Sequence, residues 1–149
     1  MRRFFSKYTL ELLCILLAVL LLAGCSSQGE AEEPGGDIMW QQITAEEAMD
    51  IMNSEESYVI LDVRRPDEYS DGHIPGAVNL ANETIGAAKE GNAELEAVET
   101  ALPDKDQLIL VYCRSGNRSK QASQKLAELG YARVLEFGGI QNWPGEIEH

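Results

Sequence analysis

The sequence predicts an α/β sandwich whose central sheet is mostly parallel, and two observations lead to this prediction. Short apolar runs typical of buried strands alternate with stretches that carry helix signals between residue 38 and about residue 144. The same stretch has the length of one ordinary domain and contains no internal repeat. Strands separated by helical stretches are typical of a parallel sheet covered by helices.

The individual elements follow from apolar runs, caps and breakers. Strands are predicted at residues 58–61, 77–80, 108–112 and 133–137, and the run at 108–112 is the clearest buried strand. Helices are predicted at residues 44–53, 92–102 and 117–129. The first begins at a capping box formed by Thr44 and Glu47. Pro103 closes the second helix and Gly130 the third.

Residues 1–24 have the organisation of a signal peptide. A cationic start, MRRFFSK, precedes twelve unbroken apolar residues from Leu12 to Ala23. A helix needs about twenty apolar residues to span a bilayer, so this run is too short for that, but it suits the apolar region of a secretory signal. A buried helix of a soluble domain is the alternative, which the basic start and the small residues at the end of the run disfavour.

Residues 22–25, LAGC, resemble the lipobox of bacterial lipoprotein signal peptides. The resemblance implies that Cys25 is lipidated and becomes the mature N-terminus, which anchors the chain to a membrane at the extracytoplasmic face of the cell envelope. The alternative is an ordinary signal peptide with Cys25 as a plain thiol. Residues 25–37 are rich in Gly, Ser and Glu, and we expect the lipidated Cys25 followed by a flexible acidic tether, with the domain at 38–149.

Charge and cysteine count narrow the function classes further. The formal net charge of −13 disfavours nucleic acid and anionic lipid surfaces as partners. Of the three cysteines, Cys14 would leave with the signal peptide and Cys25 would carry lipid. Cys113 is then the only free thiol of the mature domain. A lone thiol outside the cytoplasm is exposed to oxidation, so we expect it to have a chemical role rather than an inert buried position.

The segment from Cys113 to Ser119, CRSGNRS, lies directly between the clearest buried strand and a helix. Ligands of open parallel sheets bind at the carboxyl ends of the strands. A tight loop that enters a helix directs several backbone N–H groups at one point and stabilises an anion there. We therefore expect a lowered pKa for the Cys113 thiol, with Arg114 and Arg118 adding positive charge.

Three segments together resemble the rhodanese superfamily of single-domain sulfurtransferases. They are residues 61–79, which contain LDVRRPDEY and GHIPGAVN; residues 111–119, VYCRSGNRS, with Ala122 and 126–130; and residues 137–144, which contain FGGI and WP. They occur in the family's order, and the resemblance that they carry extends over nearly all of residues 38–144. The resemblance implies a rhodanese-like three-layer α/β/α sandwich.

The resemblance also implies a mechanism. The Cys113 thiolate attacks the outer sulfur of a small anionic donor such as thiosulfate, forms a persulfide, and passes the sulfur to a thiol or cyanide acceptor. Backbone N–H groups of the loop, which also contains Ser115, Gly116 and Asn117, would cradle the persulfide. Arg118, and Arg114 from the rim, would hold the anionic donor. Neither a metal nor an organic cofactor is expected.

Four further motif residues are expected to be structural. Asp62 ends a buried strand and is expected to brace the loops by hydrogen bonds. Arg64 either faces the site or pairs with Glu68, and the pairing is favoured. His73, in a Gly-His-Ile-Pro-Gly turn, is expected to be structural, and Trp143 to pack in the core.

Two other functions remain open on the sequence. Related phosphatases enclose five residues between Cys and Arg, whereas Cys113 and Arg118 enclose four, so phosphatase and arsenate reductase rank below sulfurtransferase. Alternatively, the domain is a carrier that holds persulfide sulfur for a partner without turnover, or a sulfur or redox binding module.

Overall fold

The computed structural model describes residues 40–55 and 57–149. The predicted signal peptide, the lipidation site at Cys25 and the tether lie outside the described residues. Within the described ranges, no helix combines the length and the apolar character that crossing a bilayer demands.

A five-stranded sheet, parallel throughout, forms the centre of the domain. The strands are β1 (Gln41–Gln42), β2 (Tyr58–Asp62), β3 (Val78–Asn79), β4 (Leu108–Cys113) and β5 (Arg133–Gly139). Their order across the sheet is β1-β5-β4-β2-β3. Every pairing of these strands is parallel. The predicted α/β sandwich is therefore confirmed, and the two-residue strand β1 is an addition to the predicted set.

Five α-helices and one short 3₁₀ helix connect the strands. They are α1 (Ala45–Ser54), α2 (Pro66–Ser70), α3 (Asn82–Ala87), α4 (Ala93–Ala101), α5 (Asn117–Glu128) and the 3₁₀ helix Ile140–Asn142. The capping box at α1 is present: the Glu47 backbone N–H donates to Thr44 Oγ1 at 3.1 Å, and the Thr44 N–H donates to the Glu47 carboxylate at 2.7 Å. Helices α2 and α3 were not predicted.

Each face of the sheet has its own apolar core, which gives the domain three layers. On one face, Ile85 of α3, Val98 of α4 and Leu126 of α5 pack against the inward side chains of β2 and β4. On the other face, Ala48 of α1 packs with a second set that includes Tyr112, Phe137 and Trp143. Strand β4 is buried along its whole length, as a central strand covered on both faces should be.

The strand order makes the connections of the sheet diverge between β2 and β4. The chain leaves β2 toward β3 on one side of the sheet, and leaves β4 toward β5 on the other. Ligands of such sheets bind where the connections diverge, at the carboxyl ends of the strands. Asp62 ends β2 and Cys113 ends β4 at this edge. The register between β4 and β5 also shifts between Val111 and Cys113, immediately before the loop that follows Cys113.

The C-terminal residues fold back onto the segment between α2 and β3. Glu148 forms an isolated antiparallel bridge with His73. Both backbone hydrogen bonds of this bridge measure 2.8 Å. The His149 ring nitrogen Nδ1 lies 2.9 Å from the carbonyl of Asp71. The fold thus continues past Pro144, beyond the last predicted strand and helix signals.

Candidate active site

The loop between β4 and α5 forms a tight turn around the sulfur of Cys113. Gly116 is the N-cap residue of α5 and has φ of +102°, in the left-handed region that glycine adopts without a Cβ penalty. Its backbone N–H donates to Cys113 Sγ at 3.1 Å. The turn therefore closes on the sulfur itself.

The hydrogen bonds at Cys113 outweigh the effect of its burial. Burial is the largest single influence and raises the pKa of the thiol. Hydrogen bonds lower the pKa; they come from the Ser119 hydroxyl and from the backbone N–H groups of Ser119, Ser115 and Gly116. The net pKa of Cys113 lies below that of a free thiol. The Ser119 Oγ lies 3.5 Å from Sγ. This is the direction predicted from the loop, and it favours the nucleophilic thiolate.

The predicted loop residues divide into buried and exposed members. Cys113 is 1% exposed, and Gly116 is buried beside it. Arg114, Ser115 and Asn117 are exposed at the rim. Arg114 thus presents positive charge at the entrance to the loop, and Ser115 contributes its backbone rather than a buried side chain.

Arg118 makes a contact that the sequence did not predict. Its guanidinium donates two hydrogen bonds to Glu68 of α2, at 2.6 and 2.8 Å. This pair lowers the pKa of Glu68 to about 2 and raises that of Arg118. The arginine at the loop's end is therefore already held by a carboxylate, and its predicted contact with an anionic donor stays a prediction.

The predicted pairing of Arg64 with Glu68 is wrong. Arg64 instead binds the carboxylate of Asp62 through Nε and Nη2, with a shortest distance of 2.6 Å, and also donates from Nη2 to the carbonyl of Gly72 at 2.7 Å. Asp62 additionally accepts from the Arg64 backbone N–H at 2.9 Å. Both residues are buried. Their side chains hold the segment after β2 against the Gly72 turn, where neither guanidinium nor carboxylate is free to meet a substrate.

His73 and Trp143 occupy structural positions, as expected. The His73 ring stacks on Tyr69 with a centroid distance of 3.8 Å, and its Nδ1 lies 3.1 Å from the Tyr69 carbonyl. Trp143 packs against the core, with its ring centroid 5.4 Å from that of Phe137.

The sequence did not predict the roles of two residues at the site. Ser119 contacts the Cys113 thiol, and Glu136 contacts Ser119. The Glu136 side chain is fully buried and its Oε1 accepts from the Ser119 hydroxyl at 2.6 Å and from the Gly138 N–H at 2.9 Å. An acidic residue inside an apolar strand is unusual, and this is the feature of the sequence from which the buried Glu136 could have been predicted.

The end of β5 packs tightly behind the loop. A Cβ at Gly139 would overlap the carbonyl of Arg114, so only glycine permits this close approach of the two backbones.

Across the described residues, no group of three or more His, Cys, Asp or Glu side chains is arranged to bind a metal ion. The described site presents the buried sulfur of Cys113, surrounded by hydrogen-bond donors.

Comparisons with known proteins agree with this geometry. The family model described as a rhodanese-like domain matches residues 44–146. Thiosulfate sulfurtransferase PspE of Escherichia coli is 35% identical over 82 residues, which are 55% of this chain and 70% of that protein. A putative sulfur carrier protein, YrkF of Bacillus subtilis, is 32% identical over 108 residues, 72% of this chain and 52% of that protein. A solved structure of a rhodanese with anions from E. coli superposes with a TM-score of 0.53 at 32% identity, over 62% of this chain and 98% of the other.

Proposed function

Because this chain belongs to the family of rhodanese-like domains, we propose that it transfers sulfane sulfur from a donor such as thiosulfate to a thiophilic acceptor. The transfer proceeds through a persulfide on Cys113. One observation carries the proposal: the Cys113 sulfur sits inside a turn whose N–H groups and Ser119 hydroxyl point at it and lower its pKa.

The proposed reaction has two displacement steps. The Cys113 thiolate attacks the outer sulfur of thiosulfate, a new S–S bond forms, and sulfite leaves with the electron pair of the broken S–S bond. Cyanide or a thiolate then attacks the terminal sulfur, takes it, and returns Cys113 to the thiolate. Because the enzyme alternates between two covalent states, ping-pong kinetics are expected. The loop N–H groups that stabilise the thiolate stabilise the persulfide anion in the same way.

The size of the loop favours sulfur over phosphate. Four residues separate Cys113 from Arg118. The guanidinium of Arg118 is engaged by the carboxylate of Glu68. A phosphatase needs a wider cradle and an arginine free for the tetrahedral anion. This arrangement supports a sulfurtransferase above a phosphatase or an arsenate reductase.

Steady-state transfer from thiosulfate to cyanide tests the proposal. The wild-type chain should form thiocyanate with parallel double-reciprocal lines, and Cys113→Ser should form none. Cys25→Ser is the matched control, because it also exchanges one cysteine for serine but leaves the loop intact; it should keep wild-type turnover. Undiminished transfer by a folded Cys113→Ser protein would move the nucleophile elsewhere and end the proposal.

A second candidate is a persulfide carrier that is loaded once and unloaded by a partner protein. The similarity to the putative sulfur carrier protein of B. subtilis favours it, although this chain covers only about half of that protein. A carrier should load Cys113 in a single turnover yet show negligible steady-state transfer to cyanide. An enzyme should show both activities.

The lipid anchor is part of the proposal for the whole chain. The apolar run that ends in LAGC supports lipidation of Cys25 and a position at the extracytoplasmic face of the cell envelope. The small anionic donor and the acceptor would then meet the domain outside the cytoplasm.

A further inference from the structure

The positive charge at the end of the Cys113 loop is balanced by a carboxylate from another element. Arg118 directly precedes Ser119, whose hydroxyl lies 3.5 Å from Cys113 Sγ, and its guanidinium interacts electrostatically with Cys113. Both terminal nitrogens of that guanidinium donate to the carboxylate of Glu68, at 2.6 and 2.8 Å. The cation that would attract an anionic donor is therefore already paired.

Glu68 is held in this position from two sides. Besides the two bonds from Arg118, its Oε2 accepts from the backbone N–H of Arg65 at 3.2 Å, and Arg65 Nε lies 3.7 Å from the same oxygen. The hydrogen bonds from Arg118 are the main cause that lowers the pKa of Glu68 to about 2, so its carboxylate is charged at neutral pH. A donor that needed Arg118 would have to displace this fixed carboxylate.

The charges of the loop and of the helices beside it do not add up to an anion-binding site. Arg114 is the other cation of the loop and is exposed at its rim. Glu83 of α3 is also exposed and interacts electrostatically with Arg118. Two cations, Arg114 and Arg118, are thus matched by two carboxylates, Glu68 and Glu83, before the charge of the thiolate itself is counted.

The other charged neighbours supply no excess of positive charge. Asp62 and Arg64 pair with each other at 2.6 Å, and Arg65 pairs with Asp67 at 3.2 Å. The buried Glu136 of β5 is an acid and adds no cation. A donor with two negative charges would therefore approach the thiolate without a net attraction from the side chains around it.

We propose that Glu68 is a specificity-determining residue: by occupying Arg118, it makes the site select sulfane-sulfur donors with at most one negative charge over the thiosulfate dianion. A small alkyl persulfide is a donor of this class. Thiosulfate still loads Cys113, but the pairing of Arg118 slows that step. The inference rests on the function proposed above, since it concerns which donors load the nucleophile.

The loading step is balanced for either kind of donor. The Cys113 thiolate attacks the outer sulfur of an alkyl persulfide, a new S–S bond forms, and the alkyl thiolate leaves with the electron pair of the broken S–S bond. With thiosulfate the leaving group is sulfite. Each reaction leaves Cys113 as a persulfide and requires no further reactant.

Two donors of nearly equal shape separate the effect of charge from that of size. Methanethiosulfonate has a methyl group where thiosulfate has a charged oxygen, so it carries one negative charge instead of two. Its outer sulfur is transferred in the same way, with methanesulfinate as the leaving group. The test measures the rate constant for loading Cys113 of the full chain with each donor at low ionic strength, by intact mass spectrometry.

Glu68→Gln should accelerate loading in proportion to donor charge. Coulomb's law gives a factor of about three per unit of donor charge when a carboxylate about 6 Å away in aqueous surroundings is removed. The variant should therefore load about three times faster than the wild type with methanethiosulfonate and about ten times faster with thiosulfate. Salt should reduce both factors, because it screens the carboxylate.

Glu128→Gln is the matched control. It makes the same chemical change at an exposed position of α5. Glu128 lies near the other end of this helix, and the rise of an α-helix places it about 15 Å from the loop, beyond the screening length of ordinary buffers. Both donors should load this variant at wild-type rates.

Equal factors for the two donors in Glu68→Gln, or no acceleration with thiosulfate, would overturn the role of Glu68 while leaving sulfur transfer intact. If neither donor added sulfur to wild-type Cys113, the proposed function would fail and the inference with it. The two failures are therefore distinguishable.

A comparison with a free thiol tests the inference without any variant. 2-Mercaptoethanol has an uncharged body, so its thiolate reports the intrinsic reactivity of the two donors. The ratio of the rate constant for methanethiosulfonate to that for thiosulfate should be several-fold larger for wild-type Cys113 than for 2-mercaptoethanol. An equal or smaller ratio for Cys113 would show that the site does not select donors of low charge.

Discussion

At the scale of single residues, the properties of Cys113 follow from the donors around it. The thiol is buried, which by itself disfavours the thiolate. Hydrogen bonds from three backbone N–H groups and from Ser119 reverse that effect. The low pKa is therefore a property of how the loop curls at Gly116, and it depends little on the exposed Arg114.

Ser119→Ala tests this account of the thiol. Removing the hydroxyl takes away a donor to the charged form, so the pKa of Cys113 should rise. We expect the midpoint of Cys113 alkylation to move to higher pH, because the charged form of the thiol loses one hydrogen bond. Alkylation rates measured across pH would show this.

Ser123→Ala is the matched control, because Ser123 is also buried on α5 but its hydroxyl makes no hydrogen bond. Its alkylation midpoint should equal that of the wild type. Equal midpoints for Ser119→Ala and Ser123→Ala would show that the hydroxyl of Ser119 does not stabilise the thiolate.

At the scale of elements, the Glu68–Arg118 pair joins α2 to α5 across the site. The two residues are 50 positions apart, and both guanidinium bonds are short. The carboxylate is 19% exposed and the guanidinium 26%, so the pair is shielded only in part from solvent. It fixes the helix that begins at the loop relative to the segment after β2.

Glu68→Gln should weaken the fold in a pH-dependent way. The pKa of Glu68 is lowered from 4.5 to about 2, so its stabilising contribution is complete above about pH 4.5 and is lost as the pH falls toward 2. At pH 7 the variant should be less stable than the wild type by about 1 kcal/mol. Urea unfolding at pH 7 and at successively lower pH should show this difference shrinking.

Asp67→Asn provides the comparison, since Asp67 pairs with Arg65 at an exposed site. That substitution should leave the unfolding midpoint almost unchanged at every pH. If Glu68→Gln behaved in the same way, the pair would contribute nothing to stability.

Most of the elements that the sequence predicted have a long pattern, and the two-residue strand β3, predicted within residues 77–80, is the exception. Strands β2, β4 and β5 have apolar runs, and helices α1, α4 and α5 have caps or breakers at their ends. Strand β1 has two residues and α2 has five, which is too short for a periodicity to show. These elements form because tertiary packing stabilises them, and that packing is not visible in local sequence.

The candidate site was predictable to a similar extent. The position of Cys113 at a strand end and the curl of its loop followed from the order of residue types. The partners of Arg64 and Arg118 did not, because they depend on how separate segments approach each other. Arg64 turns back to Asp62, two residues earlier, and leaves Glu68 to Arg118. The contact of Glu136 with Ser119 likewise depends on the packing of α5 on β5.

At the scale of the whole molecule, we propose a sulfur-transferring domain that is held at a membrane by one lipidated cysteine. The chain is acidic, with a net charge of −13, so it should be repelled by anionic lipid headgroups. Membrane attachment would therefore depend on the lipid rather than on the protein surface.

Cys25→Ala tests the anchor. We expect the wild-type protein to sediment with membranes and to require detergent for release, and the variant to appear in the soluble fraction. Cys14→Ala, which changes the cysteine of the predicted signal peptide, should leave the distribution unchanged. A Cys25→Ala protein that still sedimented with membranes would contradict lipidation at this position.

We propose above that Cys113 carries sulfur covalently. Intact mass spectrometry after incubation with thiosulfate detects that covalent sulfur directly. We expect the chain to gain one sulfur atom, about 32 Da, as a covalent intermediate. The gain should map to the peptide that contains Cys113, be absent from Cys113→Ser and disappear on addition of cyanide. An unchanged mass for a folded chain with a free Cys113 thiol, or a gain that persists in Cys113→Ser, would contradict the account.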